Sequence, residues 1–312
     1  MDHLDELLLG HAAALTREQV NARSGVPDGL AVDIWAAMGF AEIPHGETAF
    51  TEADVQALQT AASLVELGVI DVDSLLVMAR AMGQGLARLA EAQVDVLRGL
   101  AGELDLEGAI AAIADSGEEV LNRLDLLMVF VWRRQFAAAV QRSIAAARKD
   151  GMPLLAVGFL DLVGFTKSTR SWDAGQLERT LERFERDTSL RVAAVGGRVV
   201  KTLGDGVLFT TDKAQSAVEV ALTTARAHAL DPDLPEVRGG IALGPVLVRL
   251  GDVFGEPVNL ASRLADEARA GSVVVDKSVA AELDDTVEVR ELHRRSVRGY
   301  RALTPYLVRP AG

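Results

Sequence analysis

The chain has 312 residues, enough for two domains of ordinary size and a substantial core. Hydrophobic residues make up 49% and charged residues 25%, the balance of a folded globular protein rather than of a disordered chain. It has no cysteine, which excludes disulfides, thiolate metal sites and cysteine nucleophiles, and its formal net charge of -13 argues against a broad nucleic-acid surface or an anionic membrane surface as partner.

From residue 1 to about 120 the chain is rich in Ala and Leu and poor in strand signals, so an all-α segment is expected. Its first ten residues, MDHLDELLLG, are acidic and lack the basic flank of a secretion signal. No apolar run approaches the roughly 18 residues a bilayer span needs, and LLMVFVW stops at Arg133 and Arg134. A cytoplasmic, non-spanning protein is the expectation. LTREQVNARSGVPDGLAVDIWAAMGF reads as short helices around a Gly-Val-Pro turn. Thr51 followed by Glu52 and Asp54 is a capping signature for the next helix, and a further helical stretch covers roughly residues 72–100.

A long helix is expected over 118–148. Met128, Trp132, Phe136, Val140 and Ile144 fall four apart and so form one inclined row. The stop signal RKDGMP ends it, and a domain boundary is placed there: 1–117, a linker helix 118–150, and 151–312.

Beyond residue 153 strands alternate with helices. LLAVGFL reads as a buried strand, 174–195 as a helix, VVKTLGDGVLF as two strands about a tight turn, and 213–229 as a helix. VRGGIALGPVLVRLG gives two more strands, PVNLASRLADEARAG a helix, SVVV a strand and SVAAEL a short helix. This pattern predicts an α/β or α+β domain with helices covering a sheet.

Several polar residues stand out in that domain. Asp161 ends a buried strand and Asp205 sits at the turn between Gly204 and Gly206. Each alone reads as an ordinary cap or turn residue. If their strands are neighbours, both acids emerge at one edge, where two carboxylates repel unless a cation lies between them. Mg²⁺ accepts one or two carboxylates together with substrate phosphates. The turn after Asp161, with Gly164, Phe165 and Thr166, offers backbone N–H groups suited to a phosphate. Asn259 and Arg263 lie four apart in one helix and share a face, either as a solvated stripe or as groups that orient a hydroxyl and grip phosphate oxygens. Lys201, inside a strand, either snorkels at an edge or is an aimed donor. Lysine only donates and an ionised aspartate only accepts. A Lys with an Asp, such as Asp252, therefore matches the edge of adenine, whose N1 accepts and whose amino group donates, and serves guanine poorly.

With FLDLVGFT, VVKTLGDGVLF and GDVFGEPVNLASR in order, the segment from about 154 to 308 resembles the catalytic domain of class III nucleotidyl cyclases. The resemblance implies a ferredoxin-like βαββαβ fold, α+β in class, behind an N-terminal all-α domain. It implies that Asp161 and Asp205 hold two Mg²⁺ or Mn²⁺ ions, that Lys201 and Asp252 select adenine, that Asn259 orients the ribose and that Arg263 stabilises the transition state. It further implies an obligate homodimer in which one site draws on both chains, with ATP as substrate. All six positions carry the expected residue type. The chain departs from many relatives in a shorter connection before DVFGEPVN and in Phe254, where Trp is frequent.

The N-terminal half resembles the helical regulatory domain that precedes some actinobacterial class III cyclases, one of them stimulated by acid. That resemblance implies regulation of the cyclase, with a small-molecule or lipid effector among the apolar helices. The half also resembles the helix-turn-helix of MerR-type regulators. DNA binding is nevertheless not expected, because Arg17 and Arg23 are the only Lys or Arg between residues 1 and 79. The five histidines, His3, His11, His45, His228 and His293, form no cluster in sequence that would mark a pH sensor. The competing reading for the whole chain is a catalytically silent nucleotide-binding sensor, against which the complete six-residue set counts.

Overall fold

The computed structural model describes residues 6, 8–101, 118–147, 151–165, 169–297 and 300–311. They fall into two compact units, Met1–Phe136 and Ala137–Gly312. Residues 148–150, beside the boundary expected from the stop signal, lie outside the described set.

In the first unit α1 (Arg17–Ser24) starts on a capping box made by Thr16 and Gln19, and Gly25 closes it in the left-handed conformation. Helix α2 (Asp28–Met38) follows. Helix α3 (Glu52–Glu66) begins on a second box, in which the Thr51 N–H donates to Asp54 Oδ2 at 2.7 Å. Val20, Ile34, Leu58 and Leu75 are fully or nearly fully buried in the core these helices share with the start of α4 (Val72–Ala101). A short antiparallel pair, β1 (Leu15–Thr16) with β2 (Thr48–Phe50), is an addition to the helical expectation; its strands are too brief for a period-2 signal. The long helix is α5 (Glu118–Ala147), and its expected row, Met128, Trp132, Phe136, Val140 and Ile144, is exposed on the single chain. No helix of the described residues is long and apolar enough to cross a membrane.

The second unit is built on a seven-stranded sheet. Strand β3 (Leu154–Leu162) leads through α6 (Ala174–Ala194) to the hairpin β4 (Arg198–Thr202) and β5 (Gly206–Thr211). Helix α7 (Ala214–Ala229) then returns the chain to β6 (Val237–Pro245). Four strands in the order β6-β3-β5-β4, all antiparallel to their neighbours, make the ferredoxin-like βαββαβ unit. Strand β9 (Val273–Val275) adds on parallel to β6, followed outward by β13 (Tyr306–Pro310) and β10 (Val287–Glu291).

The sheet is covered on both faces, which explains the nearly continuous apolar run of β3. Leu160, Phe209 and Ile241 pack with Phe184 of α6 and Val218 and Ala221 of α7. Val157, Leu208 and Ala242 pack with Ala261 and Leu264 of α8 (Glu256–Glu267). Between β6 and α8 runs the two-stranded arm β7 (Leu247–Arg249) and β8 (Asp252–Phe254). The short helix α9 (Lys277–Glu282) starts on Asp276, and β11 (Arg295–Val297) pairs with β12 (Tyr300–Leu303) before the chain re-enters the sheet.

Helix α8 lies so close to β6 that a Cβ on Gly240 would stand 2.1 Å from the Ala265 nitrogen and 2.2 Å from the Ala261 carbonyl oxygen. Those are backbone atoms and cannot turn aside. Gly240 thus sets the seating of the helix that carries Asn259 and Arg263. Gly240→Ala should lower stability by about 1–3 kcal/mol, as overpacking does, with a matching fall in the urea midpoint; an unchanged midpoint would contradict this seating.

Candidate active site

Strand register assembles the site. In the β3–β5 ladder Asp161 stands opposite Gly206, and the Leu162 N–H donates to the Asp205 carbonyl at 2.9 Å. The two predicted acids are therefore neighbours at one end of the β3–β5 ladder. On its other side Asp161 stands opposite Arg238 of β6. Arg238 grips Asp161 Oδ2 from two nitrogens, Nη2 at 2.6 Å and Nε at 2.8 Å, and its Nη1 donates to the Asp266 carbonyl at 3.2 Å. That carbonyl belongs to the last turn of α8, where helix carbonyls lack intrahelical donors and attract cations.

Burial is the largest influence on Asp161 and pushes its carboxyl above the usual aspartate range; Arg238 opposes this, while Asp205 and Asp266 push it further. Asp161 and Asp205 are the carboxylates here that could hold a divalent cation, in competition with the Arg238 guanidinium that Asp161 already carries.

Asn259 and Arg263 share one face of α8, turned away from the buried Ala261 and Leu264. Asn259 is exposed. Arg263 Nη1 reaches Asp266 Oδ2 at 3.2 Å, an exposed pair one turn along the helix and hence easily opened.

Lys201 and Asp252 come from β4 and β8. Lys201 Nζ donates to Asp252 Oδ2 at 2.5 Å, and the Val253 N–H donates to Oδ1 at 2.8 Å. Burial raises the Asp252 carboxyl, but the hydrogen bonds from Lys201 and Val253 and the charges of Lys201 and Arg198 outweigh it, and it lies below the usual range. It is thus an ionised acceptor beside a cationic donor. Among the described residues no ion pair joins this cluster to the one around Asp161.

Gly164 lies in the turn after β3 and Phe165 is already helical, with its ring meeting Trp172 edge-on at 6.0 Å. Thr166 lies outside the described residues. Arg238 escapes sequence reasoning. The signal was a charged residue opening an apolar strand, EVRGGIALG, but its partner is 77 residues away and depends on register.

Residues 149–310 match the family described as the adenylate and guanylate cyclase catalytic domain. The chain is 44% identical over 288 residues to an adenylate cyclase of Streptomyces coelicolor, covering 90% of this chain and 74% of that protein. It is 42% identical over 288 residues to an adenylate cyclase of Streptomyces griseus, covering 90% and 71%. A pH-sensitive adenylate cyclase of Mycobacterium tuberculosis is 29% identical over 288 residues, covering 88% and 71%.

Arg238→Met should leave the Asp161 carboxylate half-buried without its cation. Stability at neutral pH is expected to fall by about 1–2 kcal/mol, between the values for exposed and buried pairs. Urea denaturation measures this, and a variant as stable as the parent would show that Arg238 does not compensate Asp161.

Proposed function

Because this chain belongs to the adenylate and guanylate cyclase family, we propose that it is an adenylate cyclase that converts ATP to 3′,5′-cyclic AMP and pyrophosphate at a site shared by two copies of the chain. The single observation that carries the choice of ATP is the Lys201–Asp252 pair. A donor and an ionised acceptor side by side match the adjacent N1 and 6-amino group of adenine.

Asp161 and Asp205 would hold the divalent ions, Mg²⁺ or Mn²⁺, two per site. Such ions lower the pKa of a hydroxyl and offset triphosphate charge. The 3′-oxygen of the ribose attacks the α-phosphorus in line, the bond to the bridging oxygen of pyrophosphate breaks, and the hydroxyl proton passes to solvent. The nucleophile is tethered to its target, so the protein chiefly holds a bent conformer. Asn259 fixes the ribose. Arg263 releases Asp266 and meets the charge developing on the phosphoryl oxygens, a role whose loss typically costs about 10²–10³ in rate. Backbone N–H groups at Gly164 and Phe165 receive the distal phosphates.

The site would be shared in a homodimer, with Asp161 and Asp205 of one copy facing Lys201, Asp252, Asn259 and Arg263 of the other; on a single chain no ion pair among the described residues links Lys201 and Asp252 to Asp161. Residues 151–312 form the catalytic domain, 1–117 the regulatory domain and 118–150 the linker, helical over Glu118–Ala147. A cavity of about 410 Å³ in the N-terminal unit supports a small-molecule or lipid effector. Its walls include Trp35, Phe40, Ile43 and Phe50, and Arg17 Nε and Trp35 Nε1 are buried without partners among the described residues.

Purified full-length protein with Mn²⁺ and ATP should yield cyclic AMP, little cyclic GMP from GTP, and a specific activity that falls on dilution. A long-chain fatty acid should change the rate, and Trp35→Phe should blunt that change. ATP binding without cyclic AMP at high protein concentration would instead leave a silent nucleotide sensor. An identical rate with and without fatty acid would remove the lipid effector.

A further inference from the structure

Strand β4 sends two cationic side chains, Arg198 and Lys201, to adjacent residues of the β8 arm. In a regular strand, residues three apart point to opposite faces. The ladder explains the exception. Arg198 stands opposite Thr210, Val199 opposite Phe209 and Lys201 opposite Leu208, so Val200 is an extra residue and the register shifts there. Thr210 and Leu208 are two apart on β5 and share a face; Arg198 and Lys201 therefore share it too. Bulges of this kind re-aim side chains beside functional sites.

Arg198 Nη1 donates to the Gly251 carbonyl at 2.6 Å, one residue before Asp252. The turn it holds is strained. Residues 250 and 251 join β7 to β8 in a two-residue hairpin that needs positive φ at both positions. Gly251, at φ 79°, takes this readily. Leu250, at φ 51°, is the only residue other than glycine with positive φ among the described residues. Its side chain is 57% exposed, so burial does little to hold it.

We propose that Arg198 is a positioning residue for base selection: the β4 bulge brings it beside Lys201, and it pins the Leu250–Gly251 turn so that Asp252 stays aligned as the acceptor for the nucleobase. The proposal rests on the reading that Lys201 and Asp252 contact adenine. Asp252 is held from two sides, by Lys201 on its carboxylate and by Arg198 on the preceding carbonyl. Loss of Arg198 frees the turn and blurs the distinction between adenine and guanine without touching the phosphates.

The test is steady-state kinetics of full-length Arg198→Met, Arg198→Lys and Asp252→Ala with ATP and with GTP, thermal melts confirming folded protein. For Arg198→Met the KM for ATP should rise roughly tenfold, the scale of one charge-assisted hydrogen bond, with kcat within about twofold. The preference for ATP over GTP in kcat/KM should fall by a similar factor, and Arg198→Lys should restore most of it. If the methionine variant does not fold, Arg198→Gln replaces it. An unchanged preference in Arg198→Met beside a lowered one in Asp252→Ala would overturn the proposal alone. Equal losses of kcat for both nucleotides would reduce Arg198 to a structural role and also overturn it. An unchanged preference in Asp252→Ala would overturn the base-recognition reading and this proposal with it.

Discussion

Strand β3 lies antiparallel to β5 on one side and to β6 on the other, and its register brings Asp161 level with Gly206 and Arg238. A slip of one residue would turn every side chain of the strand to the opposite face. Such a slip is opposed from both faces, because Leu160 belongs to the core beneath α6 and α7 while Val157 belongs to the core beneath α8. Apolar packing along the strand thus fixes the position of a carboxylate at its end. Asp205 depends on the same pairing through the Leu162 hydrogen bond to its carbonyl.

The proposed site has to place a nucleotide on a chain of net charge -13. Charge is balanced locally. Arg238 sits on Asp161, Lys201 on Asp252, and Arg263 on Asp266. These partners differ in how firmly they hold. Arg238 and Asp161 are both largely sheltered, with side-chain exposures of 28% and 25%, and two guanidinium nitrogens share one oxygen. Arg263 and Asp266 are more open, and such a pair contributes little to stability. The firm pair suits a group that must stay in place, and the loose pair suits one that must reach a substrate.

Much of this was legible in the sequence because it was local. The Thr51 capping signature, the helix expected over 174–195 and found at Ala174–Ala194, the β4–β5 hairpin and the buried strand that carries Asp161 near its end all follow from periodicity and turn chemistry. The helix expected to run through PVNLASRLADEARAG stops at Glu267 instead, with Ala268 already extended. What remained hidden was non-local. Strand β10 lies at the sheet edge with a mostly exposed side-chain pattern, so it shows little hydrophobic alternation. Arg238 and Arg198 acquire partners 77 and 53 residues away, the first through register and the second through a bulge. Neither is visible in the spacing of a single segment. The pairing of Lys201 with Asp252, 51 residues apart, was anticipated only through hydrogen-bond chemistry and the family resemblance.

The central claim is that each active site takes its carboxylates from one chain and its arginine from another. Mixing Asp205→Ala with Arg263→Ala, each inactive alone, tests it directly, since a mixed dimer would hold one intact site and one doubly damaged site. Random pairing makes half the dimers mixed, so cyclic AMP formation should recover to roughly a quarter of the parent rate. A mixture as inactive as its components, with subunit exchange verified, would contradict the shared site.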